Sequence, residues 1–234
     1  MSLAQFDCAA QALKDFPTKS PPTVQRVSNK VVGIIGGEPL LHPMFSEICR
    51  VMAVAIPNRR HRGLWTGLSW QKTKYAKLIR ETFGFVNNNK HDGRVKHTPV
   101  LVAIKDIVHN EVSRKQLIRN CWLQTRWSGT ITPKGLFFCE VAGAWDMLLG
   151  GPGGLPVGPD CWRRPLSDYQ DQINRWCPRC GVPLSLEGRI DSEEIDDISV
   201  TNLDSLQDSP RVKAGRYEVY DKLPRTNQPW KYLQ

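Results

Sequence analysis

Over the first 120 residues, short β-branched runs alternate with amphipathic segments at the pitch of βα units, which most constrains the fold of this chain. Leu3, Phe6, Ala10 and Leu13 recur at helical spacing, so a helix opens the sequence, with Pro17, Pro21 and Pro22 beyond it. Val31 to Ile35 reads as a buried strand, and Phe45 to Ile56 returns to helical periodicity. The pattern continues with a strand at Gly63–Thr66, a helix at Tyr75–Phe83, strands at Phe85–Asn87 and Thr98–Ile104, and a helix at Lys115–Asn120. Such alternation implies a parallel sheet with helices outside it, an α/β architecture.

From Cys121 the character changes. Trp122 to Phe138 reads as a β-hairpin around Thr132-Pro133-Lys134-Gly135, and Glu140 to Leu149 as a short helix. Gly150-Gly151-Pro152-Gly153-Gly154 is read as a structural turn, since no strand precedes it and no Lys-Ser/Thr follows. Ser167 to Trp176 is a further helix with Ser167 as its expected cap, and beyond residue 185 an extended tail is expected.

The sharpest motif is Gly36-Gly37-Glu38-Pro39-Leu40-Leu41-His42-Pro43, directly after the first strand. Two glycines there let a ligand approach the backbone closely, and a carboxylate at a strand's C-terminal end sits where parallel βα folds build sites. The block VVGIIGGEPLLHPMF resembles the second-strand motif of the radical-SAM superfamily. The resemblance implies that Gly36, Gly37, Glu38 and Pro39 hold the methionine moiety of S-adenosylmethionine. It also implies a Cys-x3-Cys-x2-Cys loop one βα unit earlier, which would hold a [4Fe–4S] cluster; only Cys8 stands there. The chain is therefore expected to be a truncated member that cannot cleave S-adenosylmethionine alone. His42 is read as packing or capping the turn. Asn87, Asn89 and His91 are read as a polar loop, with a place in a ligand pocket as the alternative. Trp65, Trp70, Trp122 and Trp127 are read as core.

Five of the seven cysteines fall between Cys121 and Cys180. Cys177-Pro178-Arg179-Cys180-Gly181 is a knuckle that turns two sulfurs toward one ion, and Cys121 and Cys139 complete a set of four ligands. The stretch from Cys121 through Gly135-Leu136-Phe137-Phe138-Cys139 resembles the opening of SPASM or twitch auxiliary cluster domains. The set is expected to hold an auxiliary [4Fe–4S] cluster, with zinc as the alternative. Cys161 is read as a bystander, Cys49 as core and Cys8 as a small half-buried residue.

The organisation expected is a partial (β/α) radical-SAM barrel over 1–120, a small cysteine-rich α+β auxiliary domain over 121–185, and an acidic then basic tail over 186–234. The net charge of +9 is uneven: residues 187–208 carry eight acids against Arg189, which leaves +16 on the rest. A basic body suits an anionic cofactor, an acidic peptide or nucleic acid, but no nucleic-acid motif is present, and the acidic tail lying over a solvated basic surface is the simpler reading. No apolar run approaches the ~20 residues that span a bilayer, and no signal-peptide pattern opens the chain, so a cytoplasmic protein is expected. By analogy alone, the substrate of an intact relative is a peptide or protein.

Overall fold

The computed structural model describes residues 1–19, 30–89, 96–126 and 129–220. Pro21, Pro22, His91 and Trp127, together with the last residues of the expected tail, lie outside them. In chain order the elements begin with α1 (Leu3–Leu13), α2 (Phe16–Lys19), β1 (Val32–Ile34), α3 (Phe45–Ala55), β2 (Arg62–Thr66), α4 (Ala76–Thr82) and β3 (Phe85–Asn88). They continue with β4 (Lys96–His97), α5 (Ile104–Ile107), α6 (Glu111–Arg119), α7 (Trp122–Arg126), β5 (Thr130–Thr132), β6 (Gly135–Phe137) and α8 (Glu140–Leu148). The last are α9 (Gln170–Trp176), β7 (Arg189–Ile190), β8 (Asp196–Ile198), α10 (Val200–Ser205), α11 (Pro210–Lys213) and β9 (Tyr217–Val219).

These elements gather into two compact units whose borders do not follow the expected boundaries at 120 and 185. The first comprises 1–90, 129–137 and 153–165; the second comprises 91–128, 138–152 and 166–234.

The first unit is built on a parallel sheet in the order β1-β2-β3, with Gly33 opposite Gly63 and Leu64 opposite both Ile34 and Val86. Helices α3 and α4 supply the crossovers that parallel strands require. α3 buries Phe45, Ile48, Cys49, Met52 and Ala55, a stripe at helical spacing, and all of these but Ile48 share one core with Leu64, Ile79 and Phe83. The Phe, Ile and Met side chains among them contribute about 1.5–3 kcal/mol each when taken from water. α1 begins with a reciprocal cap: Gln5 N donates to Ser2 Oγ (3.2 Å) while Ser2 N donates to Gln5 Oε1 (2.9 Å). On the sheet's other face the Trp65 ring lies across Gly33 and Gly63; a Cβ on Gly33 would fall 2.0 Å from it. Trp65 is thus a half-buried lid on a glycine pair rather than a core residue.

The α/β class is as expected, but no closed barrel forms among the described residues, and the strand expected at 98–104 is a turn that runs into α5. Its backbone is consumed elsewhere. The Val100 carbonyl accepts from Gly181 N (3.0 Å), and the Leu101 carbonyl accepts from Asn202 Nδ2 (2.8 Å). Ala103 N donates to Ser199 Oγ (2.8 Å). A short apolar run reports burial without distinguishing a strand from a buried turn. Similarly, only 130–137 of the expected hairpin is one; Trp122–Arg126 is helical, Cys121 is not on a strand, and Trp122 is 51% exposed rather than core. The helix near 167–176 is present, but a 3-10 turn over Leu166–Tyr169 leads into it and Ser167 makes no cap bond; Tyr169 stands at the cap position.

The expected extended tail is folded through residue 220. β8 pairs with β9, Ile198 is fully buried, and the acids are matched within the second unit. Arg189 bonds Glu193, Asp197 and Glu218, Arg211 bonds Asp196, and Lys96 bonds Glu187. The Asp106 carboxylate accepts from Thr201 Oγ1 (2.7 Å) and Thr201 N (3.0 Å), tying α5 to the start of α10. Burial by itself would raise its pKa, but the bonds from Ser199 and Thr201 outweigh that and hold the carboxyl below its ordinary value. A depressed carboxylate stabilises the fold above its unfolded pKa and ceases to do so as pH falls through its folded one. Asp106→Asn is therefore expected to cost about 1 kcal/mol at neutral pH, allowing for solvent access, with the difference falling off only below the ordinary aspartate value of 3.8 and vanishing under the lowered folded one. Urea titrations of both proteins at pH 7 and at about pH 2 check this.

Candidate metal centre

Cys121, Cys139, Cys177 and Cys180 all lie in the second unit, and all are buried and free of disulfides. Each arrives by a different local device. Cys121 precedes α7, whose first turn offers its sulfur the backbone N–H groups of Leu123 and Gln124. Cys139 is the N-cap of α8, its Sγ accepting from Ala142 N at 3.3 Å, as a serine cap would. Cys177 begins a 3-10 turn that Pro178 stiffens, and Cys180 follows it, with Cys180 N bonded to the Cys177 carbonyl (3.1 Å). Gln124 Nε2 donates to Cys177 Sγ (3.8 Å). Cys180 receives Val182 N, and the Trp145 indole acts on the same sulfur from nearby while its N–H is buried without a hydrogen-bond partner.

The thiols are electrostatic neighbours, every pair among the four contributing to a raised pKa. Burial is the main cause throughout: it pushes Cys180 up to about 12, Cys139 and Cys177 well above the ordinary thiol value, and Cys121 upward as well. The like charge of neighbouring sulfurs adds to this at Cys139, Cys177 and Cys180, and N–H donors oppose it at all four. Among the described residues, no three His, Cys, Asp or Glu side chains stand in metal-holding geometry, so the thiols form a neighbourhood and not a preformed cage. By residue type the four are donors that a thiolate-bound metal uses, and all four are buried with N–H groups beside them.

The Gly36-Gly37-Glu38-Pro39 turn lies in the first unit. Gly36 (φ 103°) and Gly37 (φ 52°) are exposed in the left-handed region, with open space where each Cβ would stand. Their backbone is open to an approaching group, as the sequence implied. Glu38 is half-buried and caps the 3-10 turn that Pro39 begins. Its Oε1 accepts from Leu40 N (3.0 Å) and Thr66 Oγ1 (2.7 Å), and its Oε2 from Gly67 N (2.8 Å). Three of the roughly four acceptor positions of a carboxylate are thus spent joining the ends of β1 and β2. His42 caps the same turn, Nδ1 accepting from Met44 N (3.2 Å). Asn87 is exposed on β3 and Asn89 is exposed just beyond it.

Cys161 belongs to the first unit, apart from the four in the second, and Cys49 is core, as expected. Cys8 is exposed rather than half-buried. Sequence reasoning missed Gln124, Trp145 and Asn202. Gln124 stands three residues after Cys121, a helical spacing hidden by the expectation of a strand. Asn202 is fully buried in the supposed tail and braces the knuckle by donating to the Arg179 carbonyl (2.8 Å). A cleft of about 350 Å³ in the second unit is lined by residues such as His97, Arg189, Asp191 and Arg211 and by none of the thiols. Among the described residues no helix is long and apolar enough to cross a membrane. No protein-family model matches the chain, and no curated protein matches it.

Proposed function

We propose that this chain is a cytoplasmic iron–sulfur protein of radical-SAM descent that holds an auxiliary [4Fe–4S] cluster on Cys121, Cys139, Cys177 and Cys180 and does not itself cleave S-adenosylmethionine. The observation that carries the reading is the meeting of four buried thiols with N–H donors directed onto each sulfur. A buried thiol packs as a small apolar group with or without a metal, whereas N–H donors gathered on four neighbouring sulfurs are what a thiolate-bound metal uses. A cluster there would supply one-electron chemistry. The protein's part is to exclude water, hold the sulfurs through the α7 and α8 starts and the Cys177–Cys180 knuckle, and spread their charge over N–H dipoles.

The three parallel strands with the Gly-Gly-Glu-Pro turn at the end of β1 support descent from the half of a radical-SAM barrel that carries the S-adenosylmethionine amine site. In that reading Gly36, Gly37 and Pro39 shape the ligand's berth, Glu38 keeps one acceptor position for its amine, and the wider assembly acts on a peptide or protein.

A second reading has its own observation. Because the Glu38 carboxylate is engaged by Leu40, Thr66 and Gly67, the turn is complete without a ligand, which favours a non-catalytic module with structural zinc on the same thiols. Anaerobic reconstitution separates the readings. About four irons and four sulfides per chain, with a 400 nm absorption band, are expected for the cluster. One tightly held zinc with no stable iron would replace it by the module, and no metal at all would overturn both.

A further inference from the structure

We propose that the N-terminal end of the β1-β2-β3 sheet carries an anion site, centred on Arg62, that takes the phosphoryl group of a small molecule. Arg62 opens β2 and is only 5% exposed. Its Nε is sealed from solvent without a hydrogen-bond partner, and among the described residues no ion pair neutralises the guanidinium. The groups around it are the Cys49 thiol of α3 and the guanidinium of Arg59. Neither supplies a negative charge, because Cys49 is pushed up to about 12 by burial and stays a thiol at neutral pH. Burial, and then the like charge of Arg59, lower the pKa of Arg62 itself.

Local acids do not relieve this. Glu47 on α3 pairs with Arg50 (3.0 Å), and Glu81 on α4 stands 3.9 Å from Lys77. The turn before β2 instead adds more cations: Arg59 and Arg60 are exposed and His61 is half-exposed. Two bonds fix that turn. Arg59 Nη1 donates to the Arg80 carbonyl, and Asn58 Oδ1 accepts from Arg60 N (3.1 Å). A largely buried arginine whose Nε is sealed and which meets no counter-charge among the described residues is costly for a fold to keep, and the like charge of Arg59 adds to that cost. Its planar fork matches a tetrahedral oxyanion, and the dianionic charge of a phosphoryl group answers two arginines where a carboxylate answers one. The site stands at the opposite end of β2 from Thr66 and Gly67, which hold Glu38, so it is independent of the S-adenosylmethionine reading of that carboxylate.

The test compares the full chain with Arg62→Met by thermal melting in phosphate-free buffer, with inorganic phosphate, acetate or chloride added at constant ionic strength. Inorganic phosphate is expected to raise the wild-type melting temperature by roughly 5–10 °C at a hundredfold excess over Kd. Acetate and chloride should do far less. Arg62→Met should lose the phosphate increment and, relieved of an unpaired charge, melt above the wild type in phosphate-free buffer. Arg59→Gln, which also gives up the bond to the Arg80 carbonyl, should lower the basal melting temperature slightly and show a reduced phosphate increment. Equal phosphate increments in wild type and both variants, no wild-type response beyond that to chloride, or an Arg62→Met chain that fails to fold would each overturn the site. An acetate effect equal to that of phosphate would overturn the phosphoryl assignment.

Discussion

Serine at Cys139 or Cys180 is expected to abolish metal retention and to unfold much of the second unit. Both thiols are buried beside the other two, and each closes a local turn: Cys139 caps α8 and Cys180 ends the knuckle. A thiolate site binds a structural zinc with an apparent free energy of about 10–16 kcal/mol, and that binding energy is folding energy. Losing one ligand of four forfeits several kcal/mol of it, against a typical domain stability of about 5–15 kcal/mol. Serine can still accept from Ala142 N at the α8 cap, so any loss at position 139 reports the metal and not the cap. Iron, sulfide and zinc counts on purified protein, with denaturant unfolding, check both halves of the expectation. Cys161→Ser and Cys8→Ser should retain full metal content, one in the other unit and the other exposed. A Cys139→Ser protein with wild-type metal content and stability would sink the four-thiol site.

Replacing Glu38 by alanine is the second large effect, and it separates the two roles of that carboxylate. The substitution strips the acceptor from Leu40 N, Thr66 Oγ1 and Gly67 N at once, and Thr66 is buried. Bonds to a charged acceptor contribute about 1.5–3 kcal/mol each but do not add fully when they share a half-exposed group, so a loss of about 3 kcal/mol is expected. Glu38→Gln keeps one acceptor oxygen and should recover about half of it. Equilibrium unfolding measures the stability, and calorimetry with S-adenosylmethionine measures the ligand. If Glu38→Ala lost S-adenosylmethionine binding with unchanged stability, the carboxylate would be a ligand group only. If stability fell while the wild type bound no S-adenosylmethionine, the strand-joining role would stand alone and the zinc module would gain.

The helices α1, α3, α4 and α8 and the strands β1, β2 and β3 were legible because each has a period that only one element satisfies, or a β-branched run bounded by turn residues. Where the period is short the reading failed. Val102 is buried and Val100 and Leu101 are half-buried, but Gly181, Ser199 and Asn202 take up the backbone of this run from far along the chain. The acidic stretch was taken for a tail because its charges were counted without their partners. Arg189, Arg211 and Lys96 answer them, and Ile198, Ser199 and Asn202 carry the segment into the interior. The four thiols were legible as a set, whereas the donors that make them a site were not. Gln124 has no spacing that marks it, since its role depends on where α7 delivers it.

By itself, then, the sequence determined which residues alternate between helix and strand, where the chain must turn, and which sulfurs are close enough along it to share an ion. These are properties of neighbours within a few residues, set by backbone sterics and the burial of apolar side chains. Only the tertiary structure decided that Glu38 spends its carboxylate joining two strands, that the acidic segment is folded, and that Arg62 is buried with no counter-charge among the described residues. Each of those depends on groups tens of residues apart meeting where water is excluded, and the energy of a charge there is set by what surrounds it, which no local pattern records.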